Sequence, residues 1–100
     1  YGLSAGGPVL YPTLDAFVIV PICPHTLNAR PLVVPIGETI KVKTSDKLLS
    51  VAVDGFDATA NVKEISIKTS NKKAVLAFLN DDGFYSVLRN KLHWGISPTN

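Results

Sequence analysis

The sequence predicts a mainly β fold: an antiparallel β-sandwich portion closed by one amphipathic helix near the C-terminus. Three observations carry this expectation. Short apolar or alternating runs recur through residues 16–79, Pro, Gly and Asp-Gly breaks separate them, and only residues 84–92 change to helical spacing. The length fits one small domain or part of one, since the sequence has 100 residues. With 46% apolar residues, such a chain is expected to bury roughly two-thirds of its unfolded surface.

The elements follow in order. Residues 1–7 are short, and Gly6-Gly7-Pro8 stops any helix entering from upstream. Residues 16–22 (AFVIVPI) form a continuous apolar run rich in β-branched side chains, which predicts a buried strand. Residues 32–34 give a second short strand between Pro31 and Pro35. Residues 38–44 alternate, with Ile40 and Val42 inward and Lys41 and Lys43 toward water. Leu49, Val51 and Val53 share one face of the next strand, and Asp54-Gly55 supplies the pair that tight hairpins prefer. Residues 64–68 alternate again around Ile65 and Ile67, while residues 74–79 (AVLAFL) are apolar on both faces and predict a central strand. Phe84, Leu88 and Leu92 then recur every fourth position with Val87 beside them, the stripe of a helix. Asp81 or Asp82 is the expected cap, and Gly95 the expected end.

Charge is unevenly placed. Residues 1–35 hold only Asp15 and Arg30, together with six of the seven prolines, while residues 36–100 hold the other 16 charges. So uncharged a segment either lies deep in the fold or covers a surface supplied by another chain or domain; its prolines favour the second. The net charge of +2 is too weak and scattered for a nucleic-acid groove. The charge-free runs 1–14 and 16–29 are too short and Pro-broken for a membrane helix, which needs about 20 residues. A single Cys forms no internal disulfide, and no signal peptide opens the chain, so a reduced, cytoplasmic setting is expected. With no Met in the sequence, the chain is expected to be a processed product or an internal piece.

Catalytic constellations are sparse. Cys23 and His25 stand two apart, on one side of an extended chain, and the only other imidazole is His93 on the helix. A metal needs three or four ligands, so the pair falls short, and Pro24 between them gives a structural reason for the pattern. Asp54 and Asp57 flank a turn and Asp81-Asp82 precede a helix, roles that turn chemistry and capping already explain. The small residues Ser4, Ala5, Gly6 and Gly7 permit a close backbone approach, as at a helix end packed tightly on a neighbour.

At residues 1–12 (YGLSAGGPVLYP) and 16–35 (AFVIVPICPHTLNARPLVVP) the chain strongly resembles the NAD kinase family. The first matches the end of that family's Gly-Ser-Thr-Ala-Tyr-x-Leu-Ser-Ala-Gly-Gly-Pro motif, cut before the Tyr. The second matches its Pro-Ile-Cys-Pro-His-Thr-Leu and Arg-Pro-Leu-Val-Val-Pro signature. The Val53-Asp54-Gly55 turn and the closing Phe84-Tyr85, Leu88-Arg89, Lys91-Leu92 and Trp94-Gly95 pattern extend the resemblance over essentially the whole chain.

The resemblance implies the C-terminal NAD-binding domain of an enzyme that phosphorylates the adenosine-ribose 2′-hydroxyl of NAD, using ATP or polyphosphate. A divalent cation, Mg²⁺ or another, would accompany the phosphoryl donor. The family's Gly-Gly-Asp-Gly loop and Asn-Glu pair do not occur here, so no catalytic residue is assigned in this segment. The NAD-binding positions implied are Tyr1, Gly2, Leu3, Ser4, Cys23, His25 and Phe56. Tyr1 would stack on the ligand, Ser4 would hydrogen-bond it, and Gly2 and Leu3 would line the same turn. Cys23 and His25 would approach the NAD site of a neighbouring identical subunit. Phe56 stands where many members carry Gln. The alternative function is a non-catalytic β-sandwich binding or assembly module.

Overall fold

Strand boundaries in this chain are set largely by proline and by residues that tolerate positive φ. The computed structural model describes residues 1–79 and 82–95. Strand β1, Ala16–Ile19, stops ahead of the expected end at residue 22, because Pro21 has no N–H to continue a ladder. It pairs antiparallel with β2, Leu32–Pro35, in the register Ala16↔Pro35 to Ile19↔Leu32. Strand β3, Ile40–Lys43, skips two neighbours in sequence to pair antiparallel with β6, Glu64–Ile67. Its partners sort by chemistry: Ile40 faces Ile67 and Val42 faces Ile65, while Lys41 faces Ser66 and Lys43 faces Glu64. The last pair closes into an exposed ion pair of 3.8 Å.

Between them lies the hairpin of β4, Leu49–Val53, and β5, Phe56–Val62. Asp54 (φ 51°) and Gly55 (φ 82°) are both left-handed, as a two-residue type I′ turn requires. The register slips twice along the pair, and Asn61 (φ 62°) supplies the left-handed residue beside one slip. Strand β5 is absent from the sequence expectation because only its ends, Phe56 and Val62, are large and apolar.

Two expectations are corrected. Residues 74–79 form no strand, and Val75 (92% exposed) and Leu79 (103% exposed) stand clear of the protein. A run apolar on both faces becomes a central strand only with a hydrogen-bonding neighbour on each side, and the three sheets among the described residues pair only β1–β2, β3–β6 and β4–β5. The second correction concerns burial. The accessible surface is 9275 Å², against about 5,500 Å² for a compact protein of this mass. The radius of gyration is 17.0 Å, against about 13 Å for a compact domain of this length. Among the described residues none is fully buried. Two-stranded ribbons cannot enclose side chains without a layer laid over them. The mainly β, antiparallel character holds; the expected core does not form within these residues.

Helix α1, Phe84–Leu92, follows the expected spacing. Its N-cap is Gly83 without a side-chain bond rather than Asp82, and Asp81 lies outside the described residues. The Val87 N–H donates to the Gly83 carbonyl at 3.1 Å, the first bond of the helix. His93 ends it in a left-handed conformation (φ 53°), two residues before Gly95. Arg89 and Lys91 in the last turn favour the negative end of the helix dipole.

Candidate functional site

The first seven residues build one face of the site through their backbone. The Ala5 N–H donates to the Tyr1 carbonyl at 3.1 Å, Gly6 to Leu3 at 3.1 Å, and Gly7 to Gly2 at 2.7 Å. The last two bonds, with Gly6 at φ 92°, are the paired closure of a Schellman motif, the usual way a helical turn ends at glycine. Gly7 is fixed for a second reason. A Cβ there would lie 2.7 Å from the Gly2 oxygen and 2.8 Å from Val20 Cγ2, inside contact distance of both. The turn therefore sits directly on the end of β1. That is the close approach which the small residues 4–7 lead one to expect.

Helix α1 supplies the opposite wall. Tyr11 meets Phe84 edge-on with ring centroids 5.0 Å apart, and Tyr85 closes a three-ring cluster at 5.9 Å from Tyr11 and 5.4 Å from Phe84. Such pairs contribute about 0.5–1.5 kcal/mol each beyond their buried area, which ties the helix to residues 8–12. Between turn and helix runs an open groove of about 560 Å³. Tyr1, Gly2 and Leu3 line it from one side, Val18 forms part of its floor, and Leu88 and Lys91 face it from the helix. The lining is mostly apolar, and Lys91 is its one charged side chain. A groove of this kind accepts a flat, apolar ring and offers one cation to a negative group beside it.

The structure brings three of the sequence-derived candidates together and leaves four apart. Tyr1, Gly2 and Leu3 share the groove, and the Tyr1 side chain is fully exposed at its edge. Ser4 belongs to the same turn but not to the groove lining. Cys23 and His25 are exposed on the long loop between β1 and β2. Cys23 is left-handed (φ 48°) rather than extended, so the simple geometry that placed the thiol and imidazole on one side does not apply. Phe56 opens β5 after the type I′ turn, 78% exposed. Among the described residues no three His, Cys, Asp or Glu side chains gather as a metal-binding group. No helix among them is long and apolar enough to cross a membrane.

Lys91 was not among the candidates. The signal for it was present: position 91 is seven residues after Phe84 and three after Leu88, so it falls on the stripe that Phe84, Leu88 and Leu92 define.

Comparison with known proteins adds to this geometry. Residues 1–80 match the model of the ATP-NAD kinase C-terminal domain. The NAD kinase of Sulfurimonas denitrificans is 40% identical over 97 residues, covering 95% of this chain and 34% of that protein. The NAD kinase of Wigglesworthia glossinidia brevipalpis is 43% identical over 99 residues, covering 94% of this chain and 33% of its own length. That of Christiangramia forsetii is 46% identical over 103 residues, covering 100% of this chain and 35% of the relative. The chain thus spans about a third of the length of these relatives. The glycine-closed turn at residues 1–7 and the loop between β1 and β2, which carry the two motifs, both fall inside the matched region, and the chain belongs to the ATP-NAD kinase C-terminal domain family.

Proposed function

We propose that this chain is the NAD-binding portion of an NAD kinase, an enzyme that moves a phosphoryl group from ATP or polyphosphate to the 2′-hydroxyl of the adenosine ribose of NAD. The observation that carries the reading is the groove between the glycine-closed turn and α1, with the free Tyr1 ring at its edge and Lys91 along it. An aromatic face stacks on a base, and an ammonium offsets the charge of a dinucleotide's phosphates. Gly2 and Leu3 shape the same wall, and Ser4 offers a hydroxyl from the same turn. In the reaction the ribose oxygen forms a bond to the transferred phosphorus as the bond to the departing donor breaks, and the hydroxyl proton leaves to a base. Positioned donors, with a divalent cation carried by the phosphoryl donor, would stabilise the moving charge. In this reading the segment contributes binding, and the chemistry rests on the family's Gly-Gly-Asp-Gly and Asn-Glu elements, which do not occur in this sequence.

In this reading the working enzyme is a homo-oligomer. Cys23, His25 and the uncharged first third meet a neighbouring copy, while Phe56, which stands apart from the groove, remains an NAD contact implied by the resemblance alone. The antiparallel ribbons become layers of a sandwich once other chain covers them, and α1 turns the apolar stripe of an amphipathic helix toward the groove. The test is NADP formation from NAD, ATP and Mg²⁺. The intact protein carrying this sequence is expected to turn over, and residues 1–100 alone are expected to show no activity. An intact protein that binds NAD without forming NADP would support a non-catalytic binding module instead.

A further inference from the structure

The loop between β1 and β2, residues 20–31, is long, mostly exposed and free of strand and helix, yet it is tied internally. The Asn28 N–H donates to Thr26 Oγ1 at 3.2 Å, and the Ala29 N–H to the Thr26 carbonyl at 3.4 Å, which closes a turn over residues 26–29. The carbonyls on the outside of that turn are then met by one side chain. Arg30 Nη1 donates to the Leu27 carbonyl at 2.6 Å and reaches the Ala29 carbonyl at 3.4 Å.

Arg30 is an unexpected residue to find there. It is the sole Asp, Glu, Lys or Arg in residues 16–37, and its guanidinium is committed to main-chain oxygens rather than to a carboxylate. The ion pair among the described residues joins Lys43 and Glu64, far along the chain. Arg30 also stands immediately before Pro31, which restricts its backbone to the extended region, and two residues before the start of β2. The latch therefore starts just outside the sheet, and its other end holds the turn at residues 26–29. A hydrogen bond from a charged donor is stronger than a neutral one, and the planar guanidinium gives it direction.

We infer that Arg30 is a positioning residue that latches the turn over residues 26–29 beside the start of β2 and so sets the course of the loop that carries Cys23 and His25 to their contact with NAD. The inference rests on the proposed NAD-kinase function, and it adds a role for a residue outside the groove lining. Without the latch the turn over residues 26–29 keeps its backbone bonds but loses the side-chain tie to the residue before Pro31. The effect falls on NAD binding and not on the phosphoryl-transfer step.

The experiment compares Arg30→Met, which keeps the aliphatic stem, with Arg30→Lys, which keeps a donor, in the intact enzyme. The readouts are the steady-state KM for NAD, kcat, and hydrogen exchange of the peptide spanning residues 20–31. Arg30→Met is expected to raise the NAD KM about three- to tenfold with kcat within about twofold, and to speed exchange in residues 26–29. Arg30→Lys is expected to recover most of both changes. His25→Ala, measured alongside, separates the two layers of the argument. If His25→Ala raises the NAD KM and Arg30→Met does not, the latch is wrong and the proposed function stands. If neither changes it, the loop is not part of the NAD site, and the latch falls with that assignment. Faster exchange with an equal fall in kcat would make Arg30 a general stability residue and would also overturn the inference.

Discussion

Strands β1 and β2 are apolar on both faces, whereas β3 and β6 place Ile and Val on one face and Lys, Glu and Ser on the other. The first pair belongs to the segment with two charges and six prolines, the second to the segment with nearly all the charge. The difference shows what each region needs from its surroundings. A ribbon with one apolar face needs one cover and keeps water on the other side. A ribbon apolar on both faces needs two, and β1 obtains part of one from the glycine-closed turn, which reaches Val20 at its end. The groove lies where that partial cover leaves off and α1 begins. In this chain the charge-poor region supplies most of the groove lining and α1 supplies the rest.

The largest effect that would break this contrast is expected at Cys23. If the charge-poor loop meets a neighbouring copy, Cys23→Asp strands a carboxylate in a desolvated contact, at a cost of several kcal/mol unless it finds a partner. The variant should remain folded by circular dichroism, sediment as a smaller species and lose NAD affinity. Full assembly with normal NAD binding would move the interface elsewhere.

A pair of glycines sharpens the contrast at intermediate size. Gly7→Ala forces a Cβ against a backbone oxygen and Val20, and should destabilise the intact protein by about 1–3 kcal/mol in denaturant unfolding. Gly37→Ala meets no atom within 4 Å and needs no left-handed backbone. It should change stability by at most about 1 kcal/mol, and in the stabilising direction. Equal losses at the two sites would show that the turn is not pressed onto β1. The smallest effect is expected at the exposed Lys43–Glu64 pair. Lys43→Ala should cost about 0.2–1 kcal/mol, reduced further by salt, and leave NAD binding unchanged.

The sequence was most legible where local chemistry alone decides the backbone. Asp54-Gly55 makes its type I′ turn, the alternation of residues 40–43 and 64–67 gives a ribbon with sorted faces, and the spacing of Phe84, Leu88 and Leu92 gives α1. It was least legible where a partner decides. Residues 74–79 have the composition of a central strand but no ladder neighbour among the described residues, and composition does not carry that information. Strand β5 has weak apolar character and forms because the Asp54-Gly55 turn returns it along β4. Of the site, the turn that carries Tyr1, Gly2 and Leu3 was visible as a run of small residues. The groove was not, because its far wall comes from a helix more than 70 residues away in sequence, and Lys91 takes its meaning only from that juxtaposition.

The central claim is that the charge-poor region presents NAD with an aromatic face at Tyr1. Its most direct test is the NAD dissociation constant of the intact enzyme, measured by calorimetry for the natural sequence, Tyr1→Phe and Tyr1→Ala. Loss of one stacked ring should cost about 1–3 kcal/mol, so Tyr1→Ala is expected to bind NAD roughly 5- to 150-fold more weakly. Tyr1→Phe, which keeps the ring, should change it little. An unchanged dissociation constant in Tyr1→Ala would remove Tyr1 from the site and contradict the assignment of the groove to NAD.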